Sequence, residues 1–196
     1  PEVDVRTPGR VAFPAKFLVD ILKTFADVPL SIQVDTSSWK ITLSSDSGKY
    51  HTAGFDPEEY PSLPVFEVQG SFEVEAVTFN HAISKTMFAA GNDEIRPVMS
   101  GILMQVTTEG TNFVATDGNK LVRYKRKDLS SENQFELILS KRPLNLLKSI
   151  VGTSEEPITI EYSESNLRFV FGDFVMYSRA VEGNYPAYET VIPKNN

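Results

Sequence analysis

A repeated pattern of one strand, one helix and three strands constrains the fold of this chain more than any other feature. The pattern begins at Arg10, returns at Phe72 and returns again at Phe135. In each copy, apolar residues recur at the spacing of one face of a helix and then alternate as in half-buried strands. The helical stripes are Leu18, Ile21, Leu22 and Phe25; Phe79, Ile83, Met87 and Ala90; and Leu144, Leu147, Ile150 and Val151.

The strand pattern is clearest in the first and third copies. In the first copy, Leu30, Ile32 and Val34 should share one face of a strand, and Trp39, Ile41 and Leu43 one face of the next. Ser140 is a candidate N-cap residue of the third helix, and Gly152 is predicted to end that helix. Tyr60-Pro61 and Tyr185-Pro186 hold equivalent places after the last strand of the first and third copies.

One such unit is too small to close a hydrophobic core by itself. Two units together form a domain of roughly 130 residues, which is a usual size. We therefore expect residues 68–196 to be one complete domain and residues 1–67 to be half of another, whose mate precedes Pro1. The expected fold class is α+β, with repeated β-α-β-β-β units and helices on one side of antiparallel sheets.

The composition argues against disulfides, metal sites and membrane spans. The chain of 196 residues has no cysteine and two histidines, so disulfides, thiolate metal sites and histidine-rich metal centres are not expected. No apolar run approaches the length of a membrane span and no signal-peptide pattern opens the chain. We expect a cytoplasmic protein with no cofactor, no metal and no membrane partner.

Charge is distributed unevenly along the chain. The net charge is −7, which argues against a protein that coats DNA with its whole surface. The three helix windows (14–26, 78–90 and 140–152), however, contain a single acid, Asp20, and six basic residues: Lys16, Lys23, Lys85, Lys141, Arg142 and Lys148. Lysines on the solvated face of an amphipathic helix would explain part of this, but such faces usually mix both signs. If the helices share one side of the molecule, that side can contact DNA phosphates without sequence preference.

The segment from Phe113 to Tyr124 is predicted to be a β-hairpin. Asp117-Gly118 is a pair that a tight two-residue turn favours at its two positive-φ positions. An enzyme would recruit Asp117, Asp173, His51 or His81 for acid–base chemistry, but no nucleophile, phosphate-binding glycine loop or metal-ligand spacing accompanies them. Turns explain Asp117-Gly118 and Gly172-Asp173 better, so we expect no catalytic residue.

These motifs resemble the bacterial DNA polymerase III beta subunit, the replicative sliding clamp, over nearly the whole chain. The segment 79–121 is similar almost without gaps. The matching motifs are Asp93-Glu-Ile-Arg96, Ser100-Gly101, Val114-Ala-Thr-Asp-Gly118, Pro14-Ala-Lys16, Phe55-Asp56, Tyr60-Pro61, Leu63-Pro64, Gly183-Asn-Tyr-Pro-Ala-Tyr188 and Val191-Ile-Pro-Lys194. The resemblance implies a DNA clamp (processivity) fold, the second half of the family's first domain at 1–67, its second domain at 68–196, and no third domain.

The resemblance also implies a function and a groove for client peptides. Family members encircle duplex DNA as head-to-tail rings and tether the replicative polymerase, the clamp loader and repair proteins through short peptides. By position, the groove residues are Met99, Thr116, Gly118, Asn119, Lys120, Leu121, Pro186, Thr190 and Val191. Asn119 and Lys120 depart from the His and Arg of many family members, which weakens stacking and bidentate contacts.

The implied DNA-facing residues are the six basic helix residues together with two near the hairpin. They are Lys16, Lys23, Lys85, Arg96, Lys120, Lys141, Arg142 and Lys148. Their role would be to hold double-stranded DNA weakly and without sequence preference. A second interpretation stays open, in which the chain is a protein-interaction module with a clamp-like fold that does not encircle DNA.

Overall fold

The structure is a computed structural model that describes residues 3–25, 27–46, 48–92 and 95–193. Asp93, Glu94 and Lys194, which belong to the motifs above, and Ala26, at the end of the first helix window, lie outside these residues. Backbone contacts divide the chain into unit 1, Pro1–Leu63, and unit 2, Pro64–Asn196. The division lies four residues before the boundary that the sequence predicts between residues 67 and 68.

Unit 1 contains one helix and one antiparallel sheet. The helix α1 spans Ala15–Leu22, and the sheet has the order β1 (Ser31–Asp35), β2 (Lys40–Ser45), β3 (Gly48–Ala53). A 3-10 turn, Pro57–Glu59, follows. Before α1, Ala12 makes an isolated bridge to Phe55.

One sequence prediction is wrong in unit 1, that of Trp39 in a strand, and two of the predicted apolar faces are exposed. No residue of α1 is buried, and Leu22 is 41% exposed although it lies in the predicted apolar stripe. Ile32 of β1 is 56% exposed, whereas Ile41 and Leu43 of β2 are fully buried. Trp39 lies in the β1–β2 turn with φ 54° and not in a strand. The central strand of a three-stranded sheet is covered, while α1 and β1 lack a covering element among the described residues.

Unit 2 contains two complete repeats in two four-stranded antiparallel sheets. The first repeat comprises β4 (Gly70–Glu75), α2 (Ala76–Thr86), β5 (Gly101–Thr107), β6 (Gly110–Thr116) and β7 (Leu121–Arg126). The second comprises β8 (Phe135–Ser140), α3 (Lys141–Val151), β9 (Pro157–Tyr162), β10 (Asn166–Phe171) and β11 (Phe174–Arg179). Short 3-10 turns occupy Met87–Ala89, Pro97–Ser100 and Tyr188–Thr190.

The two repeats of unit 2 exchange their first strands. The sheet orders are β11-β10-β9-β4 and β7-β6-β5-β8, so each first strand completes the other repeat's sheet. In the β4–β9 pair, Glu75 faces Pro157 at one end of the ladder. In the β8–β5 pair, Ser140 faces Gly101 at one end of the ladder. The exchange joins the two repeats into one body.

A single core fills unit 2, and α2 and α3 contact each other within it. Phe79 of α2 lies 6.2 Å from Phe113 and 6.5 Å from Phe169, measured between ring centroids, so one helix residue contacts both sheets. Aromatic side chains packed in this way contribute to stability beyond the area they bury. The predicted stripe residues Phe79, Ile83, Leu144, Leu147 and Val151 are buried in the core, whereas Ile150 is 38% exposed. Ala76 and Ala82 of α2 are also core residues, although the predicted stripe does not include them.

The helix ends differ in detail from the prediction. α2 stops at Thr86, and Met87 belongs to the following 3-10 turn. Ser140 is the N-cap residue of α3, but its side chain makes no capping hydrogen bond. Gly152 does end α3, since its φ of 53° is left-handed and its N–H bonds to the Lys148 carbonyl at 3.2 Å. None of the described helices is long and apolar enough to cross a membrane.

Candidate functional site

The turn of the predicted hairpin has four residues, and the prediction of a tight two-residue turn is wrong. β6 ends at Thr116 and β7 begins at Leu121, and these two residues face each other as the last pair of the ladder. Gly118 has φ 92°, whereas Asp117 is not among the residues with positive φ. In this four-residue turn, the Asp117 side chain can accept hydrogen bonds from backbone N–H groups between the two strands.

Asp117 and Thr116 hold this turn together. The Asp117 Oδ1 accepts hydrogen bonds from the N–H groups of Asn119 and Lys120, each at 3.0 Å, and its Oδ2 pairs with the Lys120 ammonium. Bonds from the side chain and backbone of Lys120 hold the pKa of Asp117 well below its usual value. The Thr116 hydroxyl donates to the Lys120 carbonyl at 2.7 Å and accepts from the Gly118 N–H at 3.1 Å.

A small pocket of about 230 Å³ lies beside the turn. Arg96, Met99 and Lys120 line it, together with residues of the segment that follows α2. The Met99 Cε lies 3.5 Å from where a Cβ on Gly118 would stand, so the Met99 side chain reaches the turn. The Met99 carbonyl accepts a 2.8 Å hydrogen bond from the Gly91 N–H, which fixes the backbone behind the pocket.

The outer face of the β7-β6-β5-β8 sheet carries a second apolar cluster. Leu103, Val114 and Ile138 are buried there under the segment 181–192, with Tyr188. The partly buried members of the cluster are Val98, Leu121, Val181, Tyr185 and Ile192. Burial on both faces makes β6 buried along its whole length. The continuous apolar run Phe113-Val-Ala115 is the sequence signal for such a strand.

Tyr185 connects the segment 181–192, called the covering segment below, to β6. Its hydroxyl accepts a hydrogen bond from the Thr116 N–H at 3.1 Å and donates to the Val114 carbonyl at 3.4 Å. Burial raises the pKa of Tyr185 to about 12. Sequence reasoning about the groove missed Tyr185 and Tyr188, although Tyr185 stands next to the predicted Pro186.

The predicted groove residues all lie in unit 2, in two adjoining groups. Met99 and Lys120 line the small pocket, and Gly118 lies next to the Met99 side chain. Thr116 and Leu121, at the end of the hairpin, lie between the turn and the apolar cluster. Pro186, Thr190 and Val191 lie on the covering segment: the Pro186 carbonyl accepts from the Tyr188 N–H, and Val191 is 67% exposed. Asn119 is exposed in the turn, where its side chain can reach solvent.

The predicted DNA-facing residues differ in how far their side chains are exposed to solvent. Lys16 and Lys23 are exposed on α1 and just after it, Lys85 is exposed near the end of α2, and Arg142 is exposed in the first turn of α3. Lys148, in the last turn of α3, is half-buried. A cleft of about 840 Å³ lies beside the start of α3 and is lined by Lys141, Arg142, Asn145 and Leu146 among others.

Lys141 makes contacts within the protein. Its ammonium donates to the Ala90 and Gly91 carbonyls, each at 3.2 Å, and to the Asn92 Oδ1 at 2.7 Å. It therefore connects the start of α3 to the chain that follows α2. Lys120, as described, pairs with Asp117, so these two predicted DNA contacts have partners in the chain.

The two histidines contact hydroxyl groups. The His51 Nδ1 lies 3.1 Å from the Thr42 hydroxyl, and the His81 Nδ1 lies 3.2 Å from the Tyr124 hydroxyl. Over residues 3–25, 27–46, 48–92 and 95–193, no group of three or more His, Asp or Glu side chains could hold a metal ion.

Two family models match the chain. Residues 2–64 match the N-terminal domain of the DNA polymerase III beta subunit, and residues 73–187 match its central domain. Among curated proteins, the chain is 28% identical over 194 residues to the beta sliding clamp of Synechococcus elongatus and 29% identical over 195 residues to that of Halalkalibacterium halodurans. These alignments cover 97% and 98% of the chain but 52% and 51% of the relatives, so the chain spans about half their length.

Solved structures confirm the predicted fold class. The DNA polymerase sliding clamp of Bacillus subtilis superposes with a TM-score of 0.89 at 25% identity, covering 98% of this chain and 50% of that one. The DNA polymerase III beta subunit of Pseudomonas aeruginosa has a TM-score of 0.88 at 23% identity, covering 98% and 53%, which bears on the fold alone.

Proposed function

The chain belongs to the DNA polymerase III beta subunit family, and from that membership we propose that it acts as part of a sliding clamp for the replicative polymerase. In this role it tethers clients to duplex DNA and catalyses no reaction itself. Residues 1–67 are the second half of the clamp's first domain and residues 68–196 its second domain. Self-association into a ring belongs to the full-length protein, which works in the bacterial cytoplasm.

The observation that carries the proposal is the meeting of a pocket and an apolar cluster at the end of the β6–β7 hairpin. Met99 and Lys120 line the pocket, and Leu121 belongs to the cluster directly beside it. Met99 and Leu121 are the apolar side chains that can accept leucine or phenylalanine anchors of a short client peptide, while the charged residues of the pocket can meet its polar groups. Each buried anchor contributes about 1.5–3 kcal/mol to binding.

The rigidity of the turn supports the same role. The hydrogen bonds of Thr116, Asp117 and Tyr185 hold the turn and the covering segment in place before any peptide arrives. A preorganised groove avoids part of the entropic cost of ordering loops on binding. Peptide polar groups then meet the exposed Asn119 side chain and the edge of the pocket.

The groove is tested by fluorescence polarisation with a labelled Gln-x-x-Leu-Phe-type peptide. We expect saturable binding, and we expect Met99→Asp to weaken it about tenfold or more because a buried carboxylate replaces an apolar wall. Phe174→Asp is the matched control, since Phe174 is 58% exposed in the β10–β11 hairpin and outside the groove. Absence of binding at millimolar peptide, or equal loss in both variants, argues against the groove.

Double-stranded DNA is the second proposed partner. The exposed basic residues of the three helices and their ends, Lys16, Lys23, Lys85 and Arg142, are suited to weak contacts with phosphates. Weak contacts permit sliding, and enclosure by the complete ring keeps the clamp on DNA. Lys141 is a poorer candidate than Arg142 because its ammonium already contacts three acceptors in the chain.

Salt dependence separates the clamp from an interaction module. We expect duplex binding that weakens steeply with salt, and the slope of log K against log salt should become shallower by about 0.9 for every phosphate that a variant no longer neutralises. Arg142→Gln should reduce the slope, whereas Asn145→Gln, at a neighbouring exposed position of α3, should not. Peptide binding without any DNA binding would favour a clamp-like module that does not encircle DNA.

A further inference from the structure

Tyr188 covers part of the outer face of the β7-β6-β5-β8 sheet and reaches past the apolar cluster. On this face, Val114, Leu103 and Ile138 face one another across β6, β5 and β8 and form one apolar row. Tyr188 packs with this row and is 5% exposed. Because side chains two residues apart on a strand share a face, the next row on this face holds residues 112, 105 and 136.

This next row is polar and consists of Asn112, Gln105 and Glu136. The Gln105 Oε1 accepts hydrogen bonds from the Asn112 Nδ2 at 3.0 Å and from the Tyr188 hydroxyl at 2.9 Å. The Gln105 Nε2 donates to the Glu136 Oε1 at 2.6 Å. Since an ionised carboxylate only accepts hydrogen bonds, Glu136 selects the orientation in which Gln105 presents its carbonyl oxygen to Tyr188.

The Tyr188 hydroxyl is suited to donate to this oxygen. Burial raises the pKa of Tyr188, and the neighbouring Glu189 carboxylate raises it further. The phenol therefore keeps its proton at neutral pH. The Glu189 Oε1 lies 3.4 Å from the hydroxyl, against 2.9 Å for the Gln105 Oε1, so the Gln105 carbonyl oxygen is the main acceptor.

Two tyrosines three residues apart hold the covering segment on the sheet at two places. Tyr185 bonds to the Thr116 N–H of β6, beside the turn, and Tyr188 bonds to the Gln105 side chain of β5. In the β5–β6 ladder these two contacts lie on opposite sides of the apolar row. A segment that is held at two separated places cannot rotate about a single contact.

Tyr188 also begins the 3-10 turn that carries two of the predicted groove residues, Thr190 and Val191. The Thr190 N–H and hydroxyl both donate to the Ala187 carbonyl, at 3.1 and 2.7 Å. The Val191 N–H donates to the Tyr188 carbonyl at 3.3 Å. Thr190 and Val191 are exposed, so their places depend mainly on the backbone of this turn and therefore on Tyr188.

We propose that Tyr188 and Gln105 are positioning residues of the client-peptide groove. The hydrogen bond between their side chains sets where the 3-10 turn places Thr190 and Val191. This inference rests on the proposed function, because it assigns these two exposed residues to the wall of that groove. Tyr188 and Gln105 do not line the small pocket, so they act on a peptide through the covering segment. A wall that is held in advance costs less to order when a peptide binds.

Amide hydrogen exchange followed by NMR tests the positioning without any peptide. In Tyr188→Phe, the N–H groups of Thr190 and Val191 should exchange about fivefold faster or more, because the turn that protects them loses its hydrogen bond to β5. The Thr116 N–H, which bonds to Tyr185, should keep its exchange rate. The phenylalanine ring still packs on the apolar row, so the variant should stay folded.

Tyr124→Phe is the matched control for the loss of a hydroxyl. The Tyr124 hydroxyl lies 3.2 Å from the His81 Nδ1, a contact between β7 and α2 outside the groove. This variant also removes one hydroxyl from a partly buried tyrosine. We expect it to leave the exchange rates of Thr190 and Val191 unchanged.

Fluorescence polarisation with the labelled Gln-x-x-Leu-Phe-type peptide tests the connection to the groove. Tyr188→Phe and Gln105→Leu should each raise the peptide Kd about three- to tenfold, whereas Tyr124→Phe should not change it. In a Val191→Ala background, Tyr188→Phe should have little further effect, because the side chain that it positions is already gone. In a Met99→Ala background it should keep its full effect, because Met99 does not belong to the covering segment.

Unchanged exchange of the Thr190 and Val191 N–H groups in Tyr188→Phe would overturn the proposal. So would equal peptide affinity in Tyr188→Phe and Tyr124→Phe, or full additivity of Tyr188→Phe with Val191→Ala. If the parent chain binds no peptide at millimolar concentration, the proposed groove fails by itself. The exchange rates then decide alone whether Tyr188 positions the turn.

Discussion

Leu18 of α1 and Leu144 of α3 occupy the same place in the repeat, the fourth residue of the helix, yet Leu144 is 1% exposed and Leu18 only half-buried. The same contrast separates Tyr60, which is 71% exposed, from Tyr185, which is half-buried under two backbone hydrogen bonds. The repeat pattern in the sequence is alike in both units. The difference teaches that burial in this fold comes from the partner repeat and not from the repeat itself.

The largest effect should come from the two leucines. Leu144→Ala should lower the free energy of unfolding of unit 2 by about 2–5 kcal/mol, because it opens a cavity in a closed core. Leu18→Ala should cost about 1 kcal/mol or less, because solvent already reaches the site. Urea unfolding followed by circular dichroism measures both, and equal costs would contradict the difference in burial between the units.

The tyrosines should show the next effect. Tyr185→Phe leaves the buried Thr116 N–H without its acceptor and should destabilise unit 2 by about 1–3 kcal/mol, whereas Tyr60→Phe should change stability by less than about 0.5 kcal/mol. Urea unfolding of both variants measures the two costs.

The raised pKa of Tyr185 also predicts a pH dependence. The neutral phenol is favoured in the folded state, so its contribution is complete below pH 10 and is lost as the pH rises through about 12. Unfolding measured between these values should depend less on pH in Tyr185→Phe than in the parent chain. A pH profile that Tyr185→Phe leaves unchanged would refute the assignment.

A smaller effect is expected at the basic residues of the first helical turns. Lys141→Met removes three hydrogen bonds that connect α3 to the chain after α2 and should cost about 1–2 kcal/mol, measured by thermal unfolding. Lys16→Met, at an exposed site of α1, should cost less than about 0.5 kcal/mol. If Lys16→Met is the more harmful variant, then α1 is held by contacts that the structure of unit 1 lacks.

The smallest difference between the two units should be found at carboxylates that bond to residues close to them in sequence. The two units should behave alike there. Hydrogen bonds from Ser37 and Ser38 lower the pKa of Asp35 in unit 1 to about 2, and the Arg126 side chain lowers the pKa of Asp128 in unit 2 to about 2. Each stabilises the folded state above its ordinary pKa, and the contribution is lost as the pH falls through about 2. NMR titration should give both midpoints, and Ser37→Ala should raise only that of Asp35.

Much of the fold could be predicted because it depends on patterns within one repeat. The spacing of Phe79 and Ile83 and the alternation of Ile158 and Ile160 identify a helix and a strand, and all four residues are buried in the core. Ile32 follows the same alternation and is exposed, because the element that would cover it lies outside the repeat. Pattern therefore predicted which residues can be buried, but not which of them have a partner.

The candidate site was predictable only in part. Resemblance to the family predicts Met99, Leu121 and their neighbours as groove residues, and all of the predicted residues lie in unit 2. The four-residue turn was not predictable from Asp117-Gly118, because the Asp117 carboxylate bonds to backbone groups further along the turn and stabilises a longer loop. The hydrogen bond between the Tyr185 hydroxyl and the Thr116 N–H, which holds the covering segment on β6, joins residues that are distant in sequence.

The sequence by itself determined the repeat, the helices and strands within it, the cationic character of the helices and the membership of the family, because each depends on residues close together along the chain. Only the tertiary structure decided that β4 and β8 are exchanged between repeats, that Lys141 is bound by carbonyl groups, and that the described residues of α1 are less buried than those of α3. These features depend on which distant backbone and side-chain groups find partners. Periodicity in a single sequence carries no record of such pairing.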